Sequence, residues 1–315
     1  MNRSNATRML RIFGIVIFVF IVLNIDLAAT FQILADVNTV FLTVAVVLIF
    51  PQIIMRAWRW QLLMKMQSIT YSLKDASTVY FAGLFIGTIT PGRLGDFIKV
   101  QYLRNAGHSM GKSFLSVLID RLFDLASLIL IGYVSLLGFM QWFSLEIHVL
   151  SALLLVAPPV LTLLFATGRI NQDLCIRLAT PLVPTRYRAK IESNLHDFFH
   201  DLTSMDGRIM ISAGAITFAV WGLYFVMAYF FALSLHIDIS FWYLAACTSI
   251  SALITLIPIS ISGIGTRDAT FITLFSLIGI NKESAIAFSM MILLMYLING
   301  SIGFVAWQKN PVAIS

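Results

Sequence analysis

Charge is scarce in this sequence. Of 315 residues only 11% are Asp, Glu, Lys or Arg, against about 25% in a soluble globular domain. That shortage excludes a soluble enzyme, and it excludes a disordered chain, which stays unfolded through high charge and low apolar content. Cysteine is scarcer still. Cys175 and Cys247 lie far apart, so there is neither a disulfide scaffold nor a metal or redox spacing. The five histidines are scattered, and the one i,i+4 pair, His196 and His200, has no third ligand after it. No metal and no cofactor are therefore expected. Phosphate loops and nucleophile elbows are also missing, so no enzyme activity is expected.

What fills the chain is apolar: 59% of residues are hydrophobic and the mean hydropathy is +0.90. A spanning helix needs about 20 such residues, which predicts an all-α polytopic membrane protein forming one transmembrane domain over residues 1–315. Eight apolar segments are legible: Ile12–Leu34, Thr39–Ile54, Ala76–Leu103, Phe114–Phe143, Val149–Thr167, Ile209–Leu233, Phe241–Ile278 and Ser284–Trp307. The first is too long for a signal-peptide core and has no small-residue cleavage site, so it reads as a membrane helix. The net charge of +6 does not imply nucleic acid, because basic cytoplasmic loops account for it.

Two segments carry helix breakers. Ala76–Leu103 is interrupted by Pro91, Gly92 and Gly95, and it carries Arg93, Asp96 and Lys99. Phe241–Ile278 is interrupted by Pro258, Gly263 and Gly265, and it carries Arg267 and Asp268. Breakers inside an apolar stretch mark discontinuous helices. The positive-inside rule then sets a topology. With both termini cytoplasmic and each broken segment folded as a re-entrant hairpin, sixteen of the 21 basic residues fall in cytoplasmic segments and only Lys282 faces outward. Six spans and two oppositely directed hairpins follow. The order helix, helix, hairpin, helix occurs over 12–143 and again over 149–307, which reads as an inverted repeat of the kind found in secondary transporters. The loop 168–208 is cytoplasmic. Ile191, Leu195, Phe198, Phe199 and Leu202 give it an amphipathic helix, which steers the chain along the membrane surface.

The hairpin tips are expected at mid-membrane, each beginning a new helix whose free N–H groups attract an anion. Arg93 and Arg267 sit at those starts, with Asp96 and Asp268 in the first helical turns. Two readings of each Arg–acid pair stand together: it locks its tip, or it binds substrate. Asp120, Arg121 and Asp124 lie within the apolar Phe114–Phe143 helix, where each charge costs about 2.5–3.5 kcal/mol. They predict a polar cavity, or salt bridges to Arg93 or Lys99. Arg56, Trp58, Arg59 and Trp60 read as an interfacial anchor at the end of the second span, or as a collector of anionic head groups.

The motifs Pro91-Gly92-Arg93-Leu94-Gly95-Asp96, Asp120-Arg121-Leu122-Phe123-Asp124 and Gly263-Ile264-Gly265-Thr266-Arg267-Asp268, in that order, resemble the lysylphosphatidylglycerol synthase transmembrane-region, or flippase-like, family. The likeness runs from about Arg56 to Trp307, with aspartate at 96, 120 and 268 where glutamate is the commoner family residue. It implies movement of a phosphate-headed lipid between leaflets, either an aminoacyl-phospholipid or a polyprenyl-phosphate-linked one. The sequence ends at Ser315 without a transferase domain, so it implies a stand-alone inner-membrane translocase whose partner is the lipid, with or without a lipid-modifying enzyme. Arg93, Asp96, Lys99, Asp120, Arg121, Asp124, Arg267 and Asp268 are the expected substrate-binding residues. A small-anion secondary transporter and a membrane subunit of lipid-linked glycan synthesis are the alternatives.

Overall fold

A computed structural model describes residues 16–137 and 206–309, with isolated positions 146, 149 and 153. It is all-helical, with no strand among the described residues. The described helices are α1 (Val16–Asn24), α2 (Leu27–Ala35), α3 (Thr39–Met66), α4 (Leu73–Ile89), α5 (Ile98–Asn105), α6 (Met110–Leu137), α7 (Gly207–Ser234), α8 (Phe241–Leu256), α9 (Thr266–Ser276) and α10 (Lys282–Lys309). A 3-10 turn over Pro91–Phe97 joins α4 to α5. By length and apolar content α3, α7 and α10 can each cross a membrane. The predicted span Val149–Thr167, and the amphipathic helix of the 168–208 loop, lie outside the described residues apart from those isolated positions and 206–208.

The first predicted span is broken. α1 and α2 meet at 85°, because Asp26 caps α2 by accepting the Ala29 N–H at 3.0 Å. Apolar residues flank Asp26 on both sides, so hydropathy alone shows a continuous segment. The second span departs from expectation in the other direction. α3 does not stop at Ile54 but runs 28 residues through Pro51 to Met66, about 42 Å at 1.5 Å per residue. Arg56 and Arg59 are thereby drawn into the bundle rather than left at its rim.

Both broken segments form helical hairpins. In the first, α4 packs against the 3-10 turn and α5. Gly83 faces Lys99, and Gly87 faces Asp96, which is the pairing of antiparallel arms. In the second, the Tyr243 hydroxyl on α8 donates to the Leu274 carbonyl on α9 at 2.6 Å. Each hairpin therefore enters and leaves at one end of the bundle, and the ends differ. The second shares its end with the α2–α3 and α7–α8 turns, where the Asn38 N–H donates to the Ser234 carbonyl at 2.8 Å and Lys282 donates to the Asn24 carbonyl. The first opens at the other end, beside Gln61, which donates to the Tyr71 carbonyl at 2.8 Å; Tyr71 in turn lies 6.1 Å from the His108 ring.

The tips meet inside the bundle. Ser262 Oγ donates to the Thr88 carbonyl at 2.6 Å. Gly92, at φ +60°, lies so close to the second tip that a Cβ there would stand 2.8 Å from the Leu256 carbonyl oxygen. Gly95 is tighter still, since its Cβ would come within 2.4 Å of the Ile86 carbonyl oxygen. Gly95→Ala should therefore pry the first hairpin open at a cost of about 1–3 kcal/mol, seen as a lowered thermal midpoint of the purified protein. An unchanged midpoint would show that the arms have slack.

One apolar core runs between α3, α7, α8, α9 and α10, centred on Phe231, Phe271, Phe275 and Phe288. A second core, around Trp60 and Tyr80, holds the first hairpin against α3.

Candidate functional site

The first tip and the end of α8 frame a cavity of about 180 Å³, bounded by α3, α4, α6, α7, α8 and α10. A charged cluster lies along one side. Arg59, fully buried, donates Nε and Nη2 to one oxygen of Asp120 at 2.9 and 2.7 Å. Its Nη1 donates to Asp124 at 2.8 Å and to Thr217 at 3.0 Å. Lys99 Nζ holds the other oxygen of Asp120 at 3.0 Å while lying 4.3 Å from the Tyr80 ring centroid and 5.0 Å from that of Trp60. Arg56 bonds Asp124 at 3.2 Å and stacks 5.0 Å over Trp221. Arg121 pairs with Asp96 at 2.8 Å.

The local sequence explains the match. Arg56 and Arg59 are three apart on α3, and Asp120 and Asp124 are four apart on α6. Both spacings put a pair on one helix face, and the two faces oppose each other. Buried charge is tolerated only when paired and hydrogen-bonded, and every carboxylate here has at least one cation within 3.2 Å. The anchor reading of Arg56 and Arg59 is thus overturned, since these side chains face Asp120 and Asp124 instead of the interface. Trp60 is buried as well, and only Trp58 remains on the outside.

Arg93 differs from the other cations. It lines the cavity, its guanidinium lies 4.7 Å over the Tyr296 ring, and it has no ion pair among the described residues. Its backbone is left-handed, φ 56° and ψ 27°, a conformation that costs a non-glycine residue about 1–2 kcal/mol. Strain of this sort at a residue facing a cavity points to function.

Arg267 looks equivalent in sequence but is bound within its own tip. It donates to Asp268 at 3.0 Å, to Ser289 at 2.6 Å and to the Ser262 carbonyl at 3.2 Å, and it is 2% exposed. Asp268 also accepts the Gly265 N–H at 2.8 Å. The start of α9 is therefore capped in part by its own carboxylate, and the Arg267 N–H donates to the Gly263 carbonyl at 2.7 Å. Gly263 packs against Thr255 and Arg267, and Pro258 receives Gly92. Pro91 opens the 3-10 turn. Both arginines reach the Tyr296 ring, Arg267 at 5.9 Å, but only Arg93 borders the cavity.

Sequence reasoning missed the aromatic wall. Trp221 and Tyr224 on α7 and Tyr296 on α10 line the cavity, yet within apolar spans nothing distinguishes them from core residues. For Arg56 and Arg59 a signal did exist: a pair of cations at helical spacing with a matching pair of acids in another span.

The chain is similar to known membrane proteins along most of its length. A UPF0104 membrane protein of Methanothermobacter thermautotrophicus is 23% identical over 293 residues, covering 88% of this chain and 87% of the relative. A second from Pyrococcus horikoshii is 22% identical over 307 residues, 90% of each chain. A third from Methanocaldococcus jannaschii is 26% identical over 308 residues, 90% of this chain and 88% of the relative. No solved structure matches. The model of the lysylphosphatidylglycerol synthase transmembrane region matches residues 10–302, and on that match this multi-pass membrane protein belongs to that family.

Proposed function

We propose that this protein is a flippase-like translocase that moves a phosphate-headed lipid between the leaflets of the cell membrane without chemical change. The observation that carries the reading is the setting of Arg93. A guanidinium with no ion pair among the described residues faces a cavity beside hairpin tips that present apolar residues outward: Ile89, Leu94, Ile257 and Ile261 are all more than two-fifths exposed. A head group held at Arg93 can therefore leave its acyl or prenyl tails among lipids beside the tips. A solute carrier would surround its substrate instead. Arginine suits phosphate through its forked donors, and the Tyr296 ring orients it, while Asp96 holds Arg121 beside it. Asp120, Arg121, Asp124 and Lys99 hold the electrostatic frame, while Arg267 and Asp268 fix the opposing tip.

The test is leaflet-resolved lipid translocation in proteoliposomes. Ala252 lines the cavity, and Ala252→Trp should plug it and reduce translocation at least tenfold while the protein stays folded. Wild-type transport through the plugged variant would sink the reading.

The same proposal places both termini in the cytoplasm and both hairpins as re-entrant. In a background lacking Cys175 and Cys247, Asn105→Cys should label from the cytoplasmic side and Asn281→Cys from outside. The reverse at either position would overturn the topology.

A further inference from the structure

The charge and size of the cavity select among phosphate-headed lipids, on the reading that it is a lipid path. Its wall carries Arg56, Arg93, Arg121, Asp96 and Asp124, and the buried cluster joined to that wall adds Arg59, Lys99 and Asp120, five cations and three carboxylates in all. The excess is two positive charges. Each carboxylate is already engaged: Asp96 by Arg121, Asp120 by Arg59 and Lys99, Asp124 by Arg56 and Arg59. An ammonium group entering here would meet no free acid and a net positive field.

The unsatisfied groups are chiefly donors. Arg93 has no ion pair among the described residues. The Nε–H of Arg121 and the indole N–H of Trp221 are buried without acceptors, and both residues line the cavity. Among the described residues, the fully buried side-chain acceptor left unpartnered on the cavity wall is Asn299 Oδ1, a neutral amide that cannot replace a carboxylate as the partner of an ammonium. Size narrows the choice further. About 180 Å³ is slightly more than a cavity of about 150 Å³ that takes a benzene-sized guest. That admits a phosphate with few further atoms and excludes a sugar chain.

We infer that the cavity takes the dianionic head of a lipid phosphate monoester and rejects amine-bearing and glycosylated head groups. A monoester brings two negative charges and three terminal oxygens to match the two excess cations and the free donors. A phosphodiester brings one charge and two such oxygens, and a lysyl ester adds positive charge to a site already positive.

Binding to the full-length protein in phosphatidylcholine nanodiscs tests this, with phosphatidic acid, phosphatidylglycerol, lysylphosphatidylglycerol and inorganic phosphate as probes. Phosphatidic acid should bind at least about tenfold tighter than phosphatidylglycerol, the scale of one charge-assisted hydrogen bond. Lysylphosphatidylglycerol should bind weakest of the lipids. Arg93→Gly, which suits the left-handed backbone and so preserves the tip, should erase the preference. Equal binding of phosphatidic acid and phosphatidylglycerol, tighter binding of the lysyl lipid, or a preference that survives Arg93→Gly would each overturn the inference; phosphatidylglycerol translocation in proteoliposomes would meanwhile leave the translocase reading standing. Inorganic phosphate binding as tightly as phosphatidic acid, with the same dependence on Arg93, would uphold the dianion selection and overturn the lipid path.

Discussion

Arg59→Met is expected to lower the stability of the folded bundle by about 3–5 kcal/mol, the scale for removing one partner of a buried ion pair. Methionine roughly retains the length of the side chain, so the loss is mainly of charge and donors. Arg59 supplies two hydrogen bonds to the Asp120 carboxylate and one to its backbone carbonyl, one to Asp124 and one to Thr217. Without it, Asp120 keeps Lys99 at 3.0 Å and Asp124 keeps Arg56 at 3.2 Å, with Arg121 farther off at 3.6 and 3.8 Å. Arg56→Met should cost clearly less, since Arg56 makes a single bond to Asp124 and borders the cavity. Thermal or denaturant unfolding in a fixed detergent measures both. Arg59→Met/Asp120→Leu should recover part of the loss, because it removes the stranded carboxylate together with its cation. If Arg59→Met unfolded at the wild-type midpoint, the ion-pair cluster would contribute nothing to holding α3 against α6.

The hairpins were legible in the sequence because backbone chemistry marks them locally. Pro91 and Gly92, and Pro258, Gly263 and Gly265, interrupt apolar runs that would otherwise be helical throughout. The distribution of basic residues along the chain then leads to the expectation that the two hairpins open toward opposite ends. The fate of Arg56 and Arg59 was not legible in the same way. Hydropathy treats every arginine as a group seeking water, and the carboxylates that satisfy these two lie more than sixty residues away on α6. The break at Asp26 escaped for a related reason: one capping carboxylate turns the chain by 85° without altering the apolar content around it. The unequal state of Arg93 and Arg267 lay furthest from the sequence. Each follows a glycine-containing tip and precedes or adjoins an aspartate, yet the partner that helps hold Arg267 in place is Ser289, an unremarked residue of α10.

That inequality sets the second large effect. Arg93→Gly should leave the protein as stable as wild type, or more stable by up to about 1 kcal/mol, because glycine accepts φ 56° without strain. Translocation should nevertheless fall by about ten- to a hundredfold, the value of one charge-assisted contact to a phosphate. Arg93→Lys should recover little of this activity, since a point charge lacks the planar fork. Arg267→Gln should behave differently. It removes the ion pair to Asp268 and disturbs the bonds to Ser289 and the Ser262 carbonyl, so the thermal midpoint should drop, and transport should be lost along with tip order. Proteoliposome translocation and thermal unfolding, measured on the same preparations, separate the two cases. A transport defect that tracks stability in both variants would make both arginines locks. Full transport by a folded Arg93→Gly would remove the anion site from the mechanism. The expected result, activity lost with stability kept at Arg93 and both lost at Arg267, assigns substrate contact to the first tip and support to the second, although the two motifs read alike.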